Sequence, residues 1–190
     1  MDVTELAWIT IKSSDVNAVV NALELENIHQ GRFGDFEDKT NTFVFSAQHD
    51  WIIIIHQWNR RGGYKEYLNT MQQVVTELSQ KFGEAQSFAA YEDMTCYGIR
   101  WEEYCHYTHW ILARNGVLLR SFAKYDGDDL FRSFGEVTEA ESFLNWKARD
   151  VWVRMPEVIR VSQQWSTEPI FSNHPGDIMG VLGYKHLQQK

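Results

Sequence analysis

Residues 51 to 58 read Trp-Ile-Ile-Ile-Ile-His-Gln-Trp, and the four consecutive isoleucines restrict the fold more than any other feature of the chain. Successive side chains of a strand point to opposite faces of its sheet. A β-branched apolar run that does not alternate needs cover on both faces, which places it centrally in a sheet flanked by other layers. The chain has 190 residues, of which 44% are hydrophobic and 23% charged. That is enough to close such a core without disulfides or metals.

The periodicities around this run predict the other layers. Leu6 to Ile11 and Thr42 to Ala47 read as strands. Between them, Ser13 or Ser14 is placed to cap a helix whose Val16, Val19, Val20 and Leu23 share one face. Gly31 and Gly34 break that pattern and open an acidic loop with Asp35, Glu37 and Asp38. Tyr64 to Phe82 carries an apolar stripe of Leu68, Met71, Val75, Leu78 and Phe82, and Gly83 is its stop. Ala85 to Tyr91, Thr95 to Trp101, Tyr104 to Ala113 and Val117 to Tyr125 follow as strands. Asn115-Gly116 joins the last two as a tight antiparallel hairpin. Asp126 to Asp129 form a second acidic loop. Thr138-Glu139-Ala140-Glu141 has the form of a capping box opening a short helix through Phe143 and Trp146. Pro156 suits the first turn of a last helix, stopped by Pro169. Residues 170 to 190 carry little signal. The expectation is an α+β domain over residues 1–169, with a mostly antiparallel mixed sheet and helices on one or both faces, and residues 170–190 as a C-terminal extension.

The chemistry on offer is sparse. Cys96, Cys105, His106 and His109 are the one cluster of zinc-type ligands. A hairpin turning near Glu102-Glu103 would set Cys96 across from His109, with Cys105 on the same face and His106 on the other. The spacing matches no zinc motif, so the expected metal and cofactor content is none. The alternative is a small enzyme or zinc protein built on Cys96, Cys105 and His109. The carboxylate groups Glu102/Glu103, Asp126/Asp128/Asp129 and Glu136/Glu139/Glu141 fall in predicted loops or helix starts, where solvation is expected. Asn59-Arg60-Arg61-Gly62-Gly63 precedes a helix, but it matches neither a phosphate-binding loop nor a dinucleotide fingerprint. No hydrolase, metalloprotease or kinase signature occurs, and the expectation is that the chain is not an enzyme.

The formal net charge is −8, which repels nucleic acid and anionic lipid and favours a basic partner. The 8 Trp, 11 Phe and 8 Tyr exceed what a core of this size needs, so some are expected at a binding surface. Residues 1–10 lack a signal-peptide pattern and no apolar run is long enough to span a bilayer, so cytoplasmic residence is the expectation.

From Phe82 onward a series of features recurs in order. Phe82-Gly83-Glu84-Ala85 comes first, then a strand ending in His109-Trp110, then Asn115-Gly116 with Arg120-Ser121-Phe122-Ala123. Gly135-Glu136-x-Thr138-x-x-Glu141 and a helix ending Trp165-Ser166-x-x-Pro169 complete it. This second half of the chain resembles a loose group of small bacterial proteins, some of which look like immunity proteins of polymorphic toxin systems. The resemblance implies a binder that occludes the active cleft of a cognate toxin, and it supplies no catalytic residues. On that reading Asp35, Glu37, Asp38, Asp126, Asp128 and Asp129 are steering charges, and exposed members of Trp101, Trp146 and Trp152 are anchors. Self-assembly through the C-terminal extension is the further alternative.

Overall fold

A computed structural model describes residues 5–36, 40–47, 49–58, 63–93, 105–125, 130–146, 151, 153–167 and 177–186. Among them, nine strands form one sheet. In chain order these are β1 (Glu5–Lys12), β2 (Glu26–Arg32), β3 (Thr42–Ser46), β4 (Trp51–His56), β5 (Glu84–Asp93), β6 (Cys105–Arg114), β7 (Val117–Tyr125), β8 (Leu130–Phe134) and β9 (Met179–Tyr184). The helices are α1 (Val16–Leu23), α2 (Tyr64–Phe82) and α3 (Met155–Trp165). The strands lie in the order β2-β9-β3-β4-β1-β5-β6-β7-β8. Every neighbouring pair is antiparallel, so the fold is α+β without the parallel component that a mixed sheet would contain.

The isoleucine strand sits where its composition requires. All of β4 is buried, one strand from the middle of the sheet. Ile52 and Ile54 face α1 and α2 together with Val19, Leu23, Met71 and Val75. Ile53 and Ile55 face the opposite layer, which holds Val158 and Val161 of α3. α2 has the bounds its stripe predicts and ends with the Gly83 N–H donating to the Ser79 carbonyl. α1 is capped by Asp15 and not, as expected, by Ser13 or Ser14: Asp15 Oδ1 accepts from Ala18 N at 2.9 Å, and Ser13 Oγ accepts from Asp15 N. The β6–β7 hairpin turns on Asn115 and Gly116, both at positive φ, as a two-residue turn of this kind needs.

Four further expectations are corrected. First, Gly31 does not end a pattern: it lies inside β2, where a Cβ would run into Leu182. Second, the capping box closes, with Thr138 N donating to Glu141 Oε2 at 2.8 Å, but only a single 3-10 turn (Glu139–Glu141) follows. The Glu141 carboxylate is engaged across the sheet, and the chain turns instead of continuing as a helix. Third, Leu130–Phe134 is a strand, paired with β7. Fourth, the segment expected as an extension contributes β9, inserted between β2 and β3 with Val181 and Leu182 buried. Gly180 allows this insertion, since a Cβ there would meet the Val44 carbonyl and the Phe43 ring. The predicted strand Thr95–Trp101 lies outside the described residues. Among those described, no helix is long and apolar enough to cross a membrane.

Candidate functional site

Because neighbouring strands are antiparallel and in register, equivalent positions form rows across the sheet. On the α2 side one row runs Tyr91–Tyr107–Tyr125 over β5, β6 and β7. The next row runs Ala7–Ala89–His109–Ala123. The alanines leave space between sheet and helix, and large rings from the start of α2 fill it. Tyr64 lies 4.3 Å from the rings of both Tyr107 and Tyr125. Tyr67 lies 5.7 Å from His109 and 6.4 Å from His56, the last residue of β4. Polar atoms are thereby carried into the interior. His109 is bonded through Nε2 to Ser87 Oγ at 2.9 Å and through Nδ1 to Tyr107 Oη at 3.0 Å. The hydroxyls of Tyr67 and Tyr91 are 3.2 Å apart. His56 stacks on Trp58 at 4.1 Å, and neither of its ring nitrogens has a hydrogen-bond partner.

Burial holds both imidazoles neutral. It pushes His56 and His109 from the ordinary 6.5 down to about 3, with the proximity of His56 adding to the effect at His109. Between these values the unfolded chain binds protons that the folded chain does not. Stability is therefore full above pH 6.5 and falls as the pH drops towards 3. For the two groups together the loss between pH 7 and pH 5 is expected to be about 4 kcal/mol. Urea unfolding at the two pH values measures it, and His56→Phe should remove about half of the dependence. Equal stability of the wild-type chain at both pH values would show that the imidazoles are not held in an apolar interior.

The Ser87–His109–Tyr107 chain has the connectivity of an activated nucleophile, yet all three residues are fully buried. A substrate carbonyl has no approach to Ser87 Oγ, so the arrangement is a packing device. His109 pairs with Ala89 on β5 and Ala123 on β7. Cys105 pairs with Asp93, and Cys96 lies outside the described residues. Among the described residues no three His, Cys, Asp or Glu side chains are grouped to hold a metal.

On the α3 side the sheet buries an ion pair. Arg120 donates to Glu141 from Nε at 2.9 Å and from Nη2 at 2.7 Å. Trp110 Nε1 and Thr138 Oγ1 donate to the same carboxylate at 2.8 and 2.9 Å. Arg120 Nη1 turns outward and donates to Ser133 Oγ and to the Phe134 carbonyl, clamping β8 onto the sheet. The expectation that Glu136, Glu139 and Glu141 are all solvated is thus corrected: Glu136 and Glu139 are exposed, and Glu141 is fully buried.

Of the candidate partner-binding residues, Asp35 and Trp146 are described, and they lie apart. Asp35 is exposed, with Oδ2 accepting from Arg32 N, and it follows β2 at the far edge of the sheet from β8. Trp146 is half-buried; its ring packs edge-on against Phe122 and over Arg120, and its N–H donates to the Glu141 carbonyl. Its surface is spent on the fold. Glu37, Asp38, Trp101, Asp126, Asp128, Asp129 and Trp152 lie outside the described residues. The apolar groups that do reach solvent were not anticipated. Phe131 (45% exposed) and Phe134 (55%) lie on β8; Leu119, Val117, Val137, Ile28 and Met179 are also exposed. The signal of the two phenylalanines was the pentad Leu-Phe-Arg-Ser-Phe between Asp129 and Gly135, too short to read as a strand by periodicity. Comparison of the chain with protein-family models, with curated proteins and with solved structures finds no match.

Proposed function

We propose that this chain is a protein-binding module that captures a basic partner through the β7–β8 edge of its sheet. The partner we propose is a toxin domain whose active site is occluded in the complex. The observation that carries the reading is the pair Phe131 and Phe134, exposed on an edge strand that a buried ion pair holds in place. Exposed aromatic groups on a rigid element are what interface anchors require. The net charge of −8 supplies the long-range attraction for a cationic protein. Asp126, Asp128 and Asp129 precede β8 directly in the chain and are assigned to steering, while Phe131 and Phe134 take the anchoring role. The buried histidines give no support to a catalytic alternative, since Ser87 and His109 are closed to substrate.

Coexpression with the C-terminal domain of a large secreted protein encoded beside this chain tests the reading. A stoichiometric complex is expected, with association slowed by salt and the domain's activity blocked. Phe131→Ala with Phe134→Ala should weaken binding by at least about tenfold. A complex indifferent to both substitutions, or none with a basic domain of that origin, would count against the proposal.

A further inference from the structure

We infer that the partner adds a β-strand to the sheet along β8, apolar where it meets Phe131 and Phe134 and basic beyond the ends of β8. The inference rests on the reading above and extends it to the mode of binding.

The two edges of the sheet differ. β2 exposes Ile28, but it carries a bulge between Glu26 and His29, Asn27 at positive φ, and exposed Glu26, His29 and Arg32. Such features keep an edge from pairing. β8 pairs with β7 over five consecutive positions without a bulge and carries two exposed phenylalanines. It is also held rigid. Arg120 binds Ser133 and the Phe134 carbonyl, Phe131 lies edge-on to Phe122 at 5.7 Å, and Gly135 brings the chain against the Leu119 carbonyl where a Cβ would clash. An edge ordered beforehand loses little entropy on binding. A strand laid alongside β8 can exchange backbone hydrogen bonds with its outer edge.

The placement of the phenylalanines selects the geometry. Phe131 pairs with Lys124 and Phe134 with Ser121, three residues apart, so their side chains lie on opposite faces of the sheet. A partner resting on one face would reach only one of them, whereas a strand lying alongside β8 reaches both. Charge selects the chemistry. Pairing two copies about the centre of β8 would set Arg132 against Arg132 of the second copy and join two chains of net charge −8. Glu136 and Glu139 are exposed just beyond β8 and face a basic segment favourably.

The probe is a capped ten-residue peptide of four valines flanked on each side by three lysines, mixed with the full chain and followed by amide hydrogen exchange. Slower exchange across residues 130–134 is expected, and Phe134→Ser should weaken binding about tenfold. The same peptide with prolines at its fourth and seventh positions, or with glutamate for lysine, should leave exchange unchanged. Equal action by the proline peptide, protection confined to other strands, no binding at all, or a dimer of the free chain that Phe134→Ser dissolves would each overturn strand addition. In the toxin-domain complex, unchanged exchange at 130–134 would overturn it while the proposed function stood; failure to form that complex would count against the function instead.

Discussion

A chain ending at Pro169 is expected to lose its cooperative unfolding transition and to elute as an aggregate. Among the described residues β9 is the sole sheet neighbour of β2, and it closes the free edge of β3. Removing it withdraws Val181 and Leu182 from the two layers they fill, at about 1.5–3 kcal/mol each. It also frees β2 and exposes the apolar edge of β3, a template for aggregation. Against a total stability of roughly 5–15 kcal/mol, this is a large fraction. Leu182→Ala is the milder control and should cost about 2–5 kcal/mol with the fold retained. Circular dichroism and urea denaturation measure both. A truncated chain that melts like the full one would mean that β9 is dispensable.

The second large effect is expected at the buried ion pair. Arg120→Met leaves the Glu141 carboxylate without its charge partner in a site that excludes water, and Glu141→Leu strands the guanidinium, Trp110 Nε1 and the Thr138 N–H. Each single change should cost about 3–5 kcal/mol, because an unpaired buried charge keeps its desolvation penalty. In a domain of this size that lowers Tm by roughly 10 °C or more. The double variant should cost clearly less than the sum of the two, the mark of a direct interaction. Simple additivity would show that the pair is not coupled. The singles should also loosen β8, visible as faster amide exchange at Ser133 and Phe134, which Arg120 holds.

The elements legible in the sequence are those whose signal is local and repeated. The stripe of α2, the β6–β7 hairpin at Asn115-Gly116 and the doubly covered β4 all state their environment within one continuous stretch. The two edge strands were not legible. β2 is exposed along nearly its whole length and β8 spans five residues, so neither shows an inside and an outside. The candidate site was legible in part. That His109 and Cys105 share one face of β6 follows from alternation, but the register that sets Ala89 and Ala123 beside His109 depends on which strands are neighbours. Glu141 shows the same divide. Its spacing from Thr138 announces the turn, and nothing near it announces that Arg120, 21 residues away, draws it into the core.

By itself, then, the sequence determined a layered α+β fold, the bounds of its long helix, its tight hairpin and its acidic balance. These follow from backbone sterics and hydrophobic periodicity over a few turns or a few strand residues. The tertiary structure alone decided that residues 179–184 complete the middle of one half of the sheet, that Glu141 is buried, and that Phe131 and Phe134 remain outside. Each of those outcomes is set by which distant segment arrives alongside, and pairing between segments far apart in the chain leaves no periodic trace in either one.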